Sequence, residues 1–256
     1  MLPAKPIALL ALFCLVPAPV LAALPDATPA PSRNEAARYQ SCLSHADSDP
    51  QNTLNDALKW AGAGGGLPAQ HCAALALVGM GKYGEAAARL DALARAKEVP
   101  SAAFRATLFD QAGNAWLLAG NGARAISSLT SALALSGGDP DLFADLARAQ
   151  AMRKNWSEVD MNLTQALQMD PNRADLLTLR ASARRALGQL KPAWADVDQA
   201  LKLRPNNGDA LVERGLLRKQ IGDINGAKRD FQAALKASGS AATEAAARQN
   251  LSALSD

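Results

Sequence analysis

Residues 174–207 read ADLLTLRASARRALGQLKPAWADVDQALKLRPNN, and residues 208–241 read GDALVERGLLRKQIGDINGAKRDFQAALKASGSA. Set beneath one another, the two 34-residue stretches agree place by place. Ala181 lies above Gly215 at the eighth place, Gly188 above Gly222 at the turn, and Ala193 above Ala227 at the twentieth. Val197 and Phe231 share the twenty-fourth place, and Ala200-Leu201 stands over Ala234-Leu235. A fixed period of this length is the signature of a stacked repeat architecture.

The register extends towards the N-terminus. Residues 140–173 carry Ala147, Leu163, Ala166-Leu167 and Pro171, matched by Pro205 one repeat later and by Gly239 in the last. Residues 106–139 carry Gly113, Trp116, Gly120, Ala125, Leu129 and Ala132-Leu133. With a five-residue insertion at 101–105, residues 67–100 fit through Ala74, Leu77, Gly81, Tyr83, Ala86 and Leu90. Small residues at the eighth, twentieth and twenty-seventh places let helices cross closely, and large ones at the twenty-fourth fill the space between units. A proline ends the second helix, so each unit is a helix–turn–helix that buries its apolar face only by stacking.

This pattern resembles the tetratricopeptide repeat family over residues 67–241. The resemblance implies an all-α fold, a right-handed superhelical solenoid of antiparallel helix pairs. Unit 140–173 departs from the family pattern: Lys154 stands at the turn glycine, Trp156 at the usual Tyr, and Val159 at the small residue of the second helix. Residues 33–66 read as a degenerate first unit, with helices near 34–46 and 53–61 joined through Asp49-Pro50. Ser32 and Glu35 form a capping box, and Ala36, Tyr39 and Leu43 share a stripe. Residues 242–256 supply a closing helix at 242–254.

The N-terminus reads as an address. Lys5 precedes the apolar run Ile7–Val16, Pro17 and Pro19 break it, and Val20-Leu21-Ala22 suits cleavage after Ala22. The run is short of the roughly 20 residues a membrane span needs. Residues 1–22 are therefore expected to be a signal peptide, residues 23–32 a flexible leader, and the mature chain a periplasmic or secreted protein without stable membrane insertion. Phe13 before Cys14 is unsuited to lipoprotein processing. Cleavage removes Cys14 and leaves Cys42 and Cys72, expected to form a structural disulfide worth about 3–4 kcal/mol by chain entropy. On the repeat alignment they fall on first helices of neighbouring units. Cys42, His45, His71 and Cys72 also form a conceivable zinc or thiol-redox set, but adjacent His71 and Cys72 diverge by about 100° on a helix.

Composition bounds the function. The 256 residues hold 27 basic and 24 acidic side chains, two His and 4% aromatics, with 49% hydrophobic. A net charge of +3, or +2 after cleavage, gives no argument for nucleic acid or a charged membrane surface. No catalytic constellation is present: Gly64-Gly65-Gly66 lacks the Lys-Ser/Thr of a phosphate loop, and a Ser-His-Asp arrangement finds no support. No metal or cofactor is expected, and the four Trp are expected to pack between helices.

Two expectations concern charged side chains. Arg180 and Arg214 at the seventh place lie opposite Asp196 and Asp230 at the twenty-third, predicting ion pairs within each repeat that orient more than they stabilise. Helical spacing also puts Asp110, Asn114, Asp141, Asp145, Arg148, Asp175, Thr178, Ser182, Asp209, Glu213 and Lys219 on a concave first-helix face. Six acids against two bases predict an acidic groove favouring a basic or amine-presenting segment. Asp141, Asp175 and Asp209 also sit in first turns, where carboxylates offset the helix dipole. Some members of the family grip a peptide's terminal carboxylates with Lys, Asn and Arg, for which only Asn114 and Arg148 are suggestive. The reading is a non-enzymatic interaction scaffold or adaptor. Its alternatives are a chaperone-like or structural subunit of an envelope assembly or secretion complex and, more remotely, a thiol-redox or metal-dependent enzyme. Oligomeric state is not specified by the sequence.

Overall fold

The computed structural model describes residues 33–237 and 239–254. The expected signal peptide and leader, with Ser32 of the expected capping box, lie outside them. The described residues form thirteen helices and no strand. They are α1 (Arg33–His45), α2 (Pro50–Gly62), α3 (Gly66–Gly79), α4 (Tyr83–Arg95), α5 (Ala102–Leu118), α6 (Gly122–Ser136) and α7 (Pro140–Met152). Then follow α8 (Trp156–Met169), α9 (Ala174–Ala186), α10 (Leu190–Leu203), α11 (Gly208–Gln220), α12 (Ile224–Ala234) and α13 (Ala241–Ser252). None is long and apolar enough to cross a membrane.

Each helix packs on its sequence neighbours, and first helices also meet first helices: α5 with α7, α9 with α11, α11 with α13, α1 with α3. That contact pattern is a solenoid of antiparallel helix pairs. Its core follows the repeat register. Ala74, Ala147 and Ala181 at the eighth place are fully buried, as are Ala86, Ala125, Val159, Ala193 and Ala227 at the twentieth. The large residues Leu90, Leu129, Leu163, Val197 and Phe231 are likewise fully buried. A Cβ on Gly215 would stand 2.5 Å from the Phe231 ring, and one on Gly113 would stand 2.5 Å from Leu129. Glycine at these places makes room for the partner across the helix pair.

The turns repeat too. Gly81, Gly120, Gly188 and Gly222 take left-handed φ of 72°, 74°, 74° and 85°. Lys154 holds the same place at φ 60°, the one non-glycine with positive φ among the described residues. α2 starts at Pro50, three residues before the expected position, because proline suits the first helical turn, where its missing N–H costs nothing. The insertion at 101–105 lengthens a helix. Ser101 caps α5 by accepting from Phe104 N at 3.1 Å. Arg105 reaches back to the Ala94 and Ala96 carbonyls, the latter at 3.0 Å, satisfying groups left open where α4 ends.

Both expected ion pairs are present. Arg180 holds Asp196 through two hydrogen bonds, at 2.7 and 2.9 Å, and Arg214 holds Asp230 at 2.8 Å. Each aspartate also takes a second arginine from the eleventh place, Arg184 at 2.9 Å or Arg218 at 2.8 Å. Arg184 links onward to Asp160 of the preceding unit at 2.7 Å. The Arg180–Asp196–Arg184 cluster thereby ties unit 174–207 to unit 140–173, while the Arg214–Asp230–Arg218 cluster braces the helix pair of its own unit.

Candidate functional site

The first helices bring most of the expected surface residues into two open depressions. The first, about 520 Å³, lies where α5, the end of α6 and the start of α7 meet. It gathers Asp110, Asp141 and Asp145, adds Asp139, and has an apolar lining from Ala106, Leu135 and Leu142. Asn114 belongs to it through a 2.9 Å hydrogen bond donated to Asp110. The second, about 960 Å³, lies between α9, α11 and α13. It gathers Arg148, Asp175, Thr178, Ser182, Asp209 and Glu213 around Leu179, Val212 and Ala246. Lys219 lines neither depression.

Within the second depression, three residues are committed to contacts of their own. Thr178 is buried and donates to the Ala174 carbonyl at 2.8 Å. Glu213, 5% exposed, is held by Arg185. Asp209 accepts a hydrogen bond from Thr243, which Ser240 joins in a capping box that starts α13. Ser182, Leu179 and the Arg148–Asp175 rim remain as open groove surface.

The charge balance differs from a count of first-helix residues. Arg173 donates to Asp175 at 2.9 and 3.0 Å and to Asp141 at 2.8 Å, bridging neighbouring units. Those hydrogen bonds hold the Asp175 carboxyl below its usual range. Arg148 pairs with Asp145 and reaches Asp175 at 4.0 Å. Arg173 lies off the expected stripe; Arg185 shares the twelfth place with Lys219 but is absent from the eleven residues, so a count of those residues overstates the acidity. A signal existed for Arg173: it occupies the thirty-fourth place, where Asp139 and Asn207 accept backbone N–H groups as helix caps.

Among the described residues of the two depressions, Asp110, Asp139 and Asp209 form no ion pair, and of these Asp110 has a shifted carboxyl. Burial pushes its carboxyl up to about 6, the charges of Asp145 and Asp139 add to the rise, and the Asn114 hydrogen bond opposes it. The acidic character concentrates in the first depression, on Asp110 and Asp139, and is largely offset in the second.

Cys42 and Cys72 stand as a bonded pair with Cα atoms 5.9 Å apart, joining α1 to α3. Beside them His71 is 3% exposed and makes two hydrogen bonds, one with the Tyr39 hydroxyl and one with Gln111 Oε1 at 2.7 Å. Burial lowers the His71 pKa and raises that of Tyr39. Both His71 ring nitrogens are thus used. His45 is exposed and engages the Ser41 carbonyl and the Ser44 hydroxyl on its own helix. Among the described residues no group of three or more His, Cys, Asp or Glu is placed to hold a metal. Trp60 and Trp116 are buried and half-covered on one face by Arg38 and Arg124, while Trp156 and Trp194 pack on the C-terminal core.

No protein-family profile matches the chain, and no curated protein matches it. Solved structures do. A tetratricopeptide repeat protein from Parabacteroides merdae superposes with a TM-score of 0.58 at 16% identity, over 87% of this chain and 85% of that one. MamA from Desulfovibrio magneticus gives 0.57 at 18%, over 64% and 89%. YrrB, described as a tetratricopeptide repeat protein with an unusual peptide-binding site, gives 0.55 at 18%, over 71% and 91%. At these identities the likeness is one of fold: the chain has the tetratricopeptide repeat solenoid.

Proposed function

We propose that this solenoid is an exported, non-enzymatic interaction scaffold that binds a peptide or protein segment along its first-helix face. The observation that carries the proposal is the 960 Å³ depression between α9, α11 and α13. Its Leu179, Val212 and Ala246 lining offers apolar contact, and Ser182 and the Arg148–Asp175 rim offer polar contact, the mixture typical of binding clefts. The peptide-binding site named for YrrB supports the same use of the fold. Export rests on the N-terminal pattern, and the Cys42–Cys72 pair is compatible with an oxidising compartment.

The segment bound is basic where it crosses the first depression. Asp110 carries a charge that burial and three neighbouring aspartates disfavour, so a lysine or arginine placed there relieves an existing cost. The bound segment then runs from Asp110 towards the apolar lining of the second depression.

The test is capture from an envelope extract by the immobilised mature protein, beside a Ser182→Trp, Ala246→Trp variant whose added rings fill the larger depression. The expected result is a partner retained by the native protein and lost from the variant at an unchanged melting temperature. Equal retention by both would overturn the assignment of the groove.

A further inference from the structure

Helix α1 buries few of its side chains against the array, and a covalent bond joins it to α3. From Asn34 to His45 its one buried side chain is Cys42; Tyr39 is half-buried and Leu43 keeps 38% of its surface. α2, of equal length, buries Thr53, Leu54, Ala57 and Trp60. The noncovalent ties of α1 include the Tyr39–His71 hydrogen bond, a 3.4 Å contact from Arg38 to the Asp56 carbonyl, and Arg38 over the Trp60 ring at 5.0 Å. A helix of thirteen residues is marginal in water without packing. Cys42 and Cys72, 8% and 2% exposed, border an open cleft of about 370 Å³ between α1, α2 and α3, so a shift of α1 alone brings the bond within reach of a small thiol in the cleft.

We propose that the Cys42–Cys72 bond is a redox-sensitive clasp: reduction by a dithiol frees α1 from α3 while the array from α3 onward stays folded. One thiolate of the dithiol attacks the Sγ of either cysteine, and the other cysteine leaves as a thiolate and takes up a proton. The second thiol of the reductant then attacks the mixed disulfide and releases the remaining cysteine. Two electrons and two protons pass to the protein, and the reductant departs as its own disulfide. A disulfide oxidant reverses the exchange. Release of α1 uncovers His71 and Cys72 on α3 and so adds surface at the N-terminal end of the first-helix face.

The test is amide hydrogen exchange on the purified protein, oxidised and in dithiothreitol. Reduction is expected to speed exchange in residues 37–45 by about 100-fold and to leave α3 to α12 unchanged, the mark of a local opening. The Cys42→Ser variant should match the reduced protein with no reductant present. Unchanged protection of α1 after reduction would overturn the clasp, and so would loss of protection that spreads through α3 and α4 together with α1. Reduction that proceeds no faster than global unfolding would overturn the accessibility of the bond.

Discussion

Gly215 and Phe231 show how a single side chain is set by its opposite number. The equivalent pair one repeat earlier is Ala181 and Val197, and the one before it Ala147 and Leu163. Gly215→Ala places a methyl 2.5 Å from a fully buried ring and should cost about 1–3 kcal/mol through overpacking. Phe231→Val alone opens a cavity, at about 2–4 kcal/mol. The double variant recreates the Ala181–Val197 pairing, so urea denaturation should give it a smaller loss than the two singles added; simple additivity would refute the pairing. Asp110 offers a second residue-scale prediction. A carboxyl raised to about 6 binds a proton more readily folded than unfolded, so folding is penalised above that pH and relieved as pH falls through it. Asp110→Asn should therefore stabilise the protein at pH 8, by about 1 kcal/mol after screening around this half-exposed group, and give no gain at pH 4. Thermal melts at the two pH values decide it. The Arg180–Asp196 and Arg214–Asp230 pairs were readable because both partners change together: Leu146 accompanies Asn162 where the pair is missing. Arg184 and Arg218 vary in the same units, one helical turn further on, and reading them needed only the i, i+4 step.

At the scale of elements, turns and caps decide where each helix begins. The α7–α8 turn uses Lys154 in the left-handed conformation that four other turns give to glycine. An L side chain there costs about 1–2 kcal/mol, partly offset by the greater freedom glycine brings to the unfolded chain. Lys154→Gly should raise stability by about 0.5–1 kcal/mol, readable as a higher melting temperature; a drop would show that the Lys154 side chain supplies more than its backbone strain removes. The helices of the regular units were legible because period, turn glycine and closing proline agree. α1 and α2 were harder to read. The Ala36, Tyr39, Leu43 stripe suggests a packed face, yet Ala36 is exposed and Leu43 keeps 38% of its surface, since among the described residues no repeat stacks on that side. The start of α5 was also obscure. An inserted stretch reads equally as loop or as helix until Ser101 is seen capping and Arg105 is seen bonding to the end of α4.

Across the whole molecule, a solenoid whose units touch only their neighbours makes the first-helix face one continuous surface from repeated parts. The sequence placed ten of its eleven chosen residues in or beside the two depressions because helical spacing alone selects that face. It misjudged the charge there, since Arg173 arrives from a position outside the first-helix stripe and Arg185, in register with Lys219, is not among the eleven. The proposed function places binding on this face. A photo-crosslinking residue placed in turn at Asp110, Ser182 and Ala246, and at the exposed second-helix positions Gln165 and Gln199, tests it most directly in living cells. Binding on the first-helix face gives one and the same partner crosslinked from those three sites and none from the second-helix sites; equal crosslinking from both sets, or crosslinks from the second-helix sites alone, would rule it out.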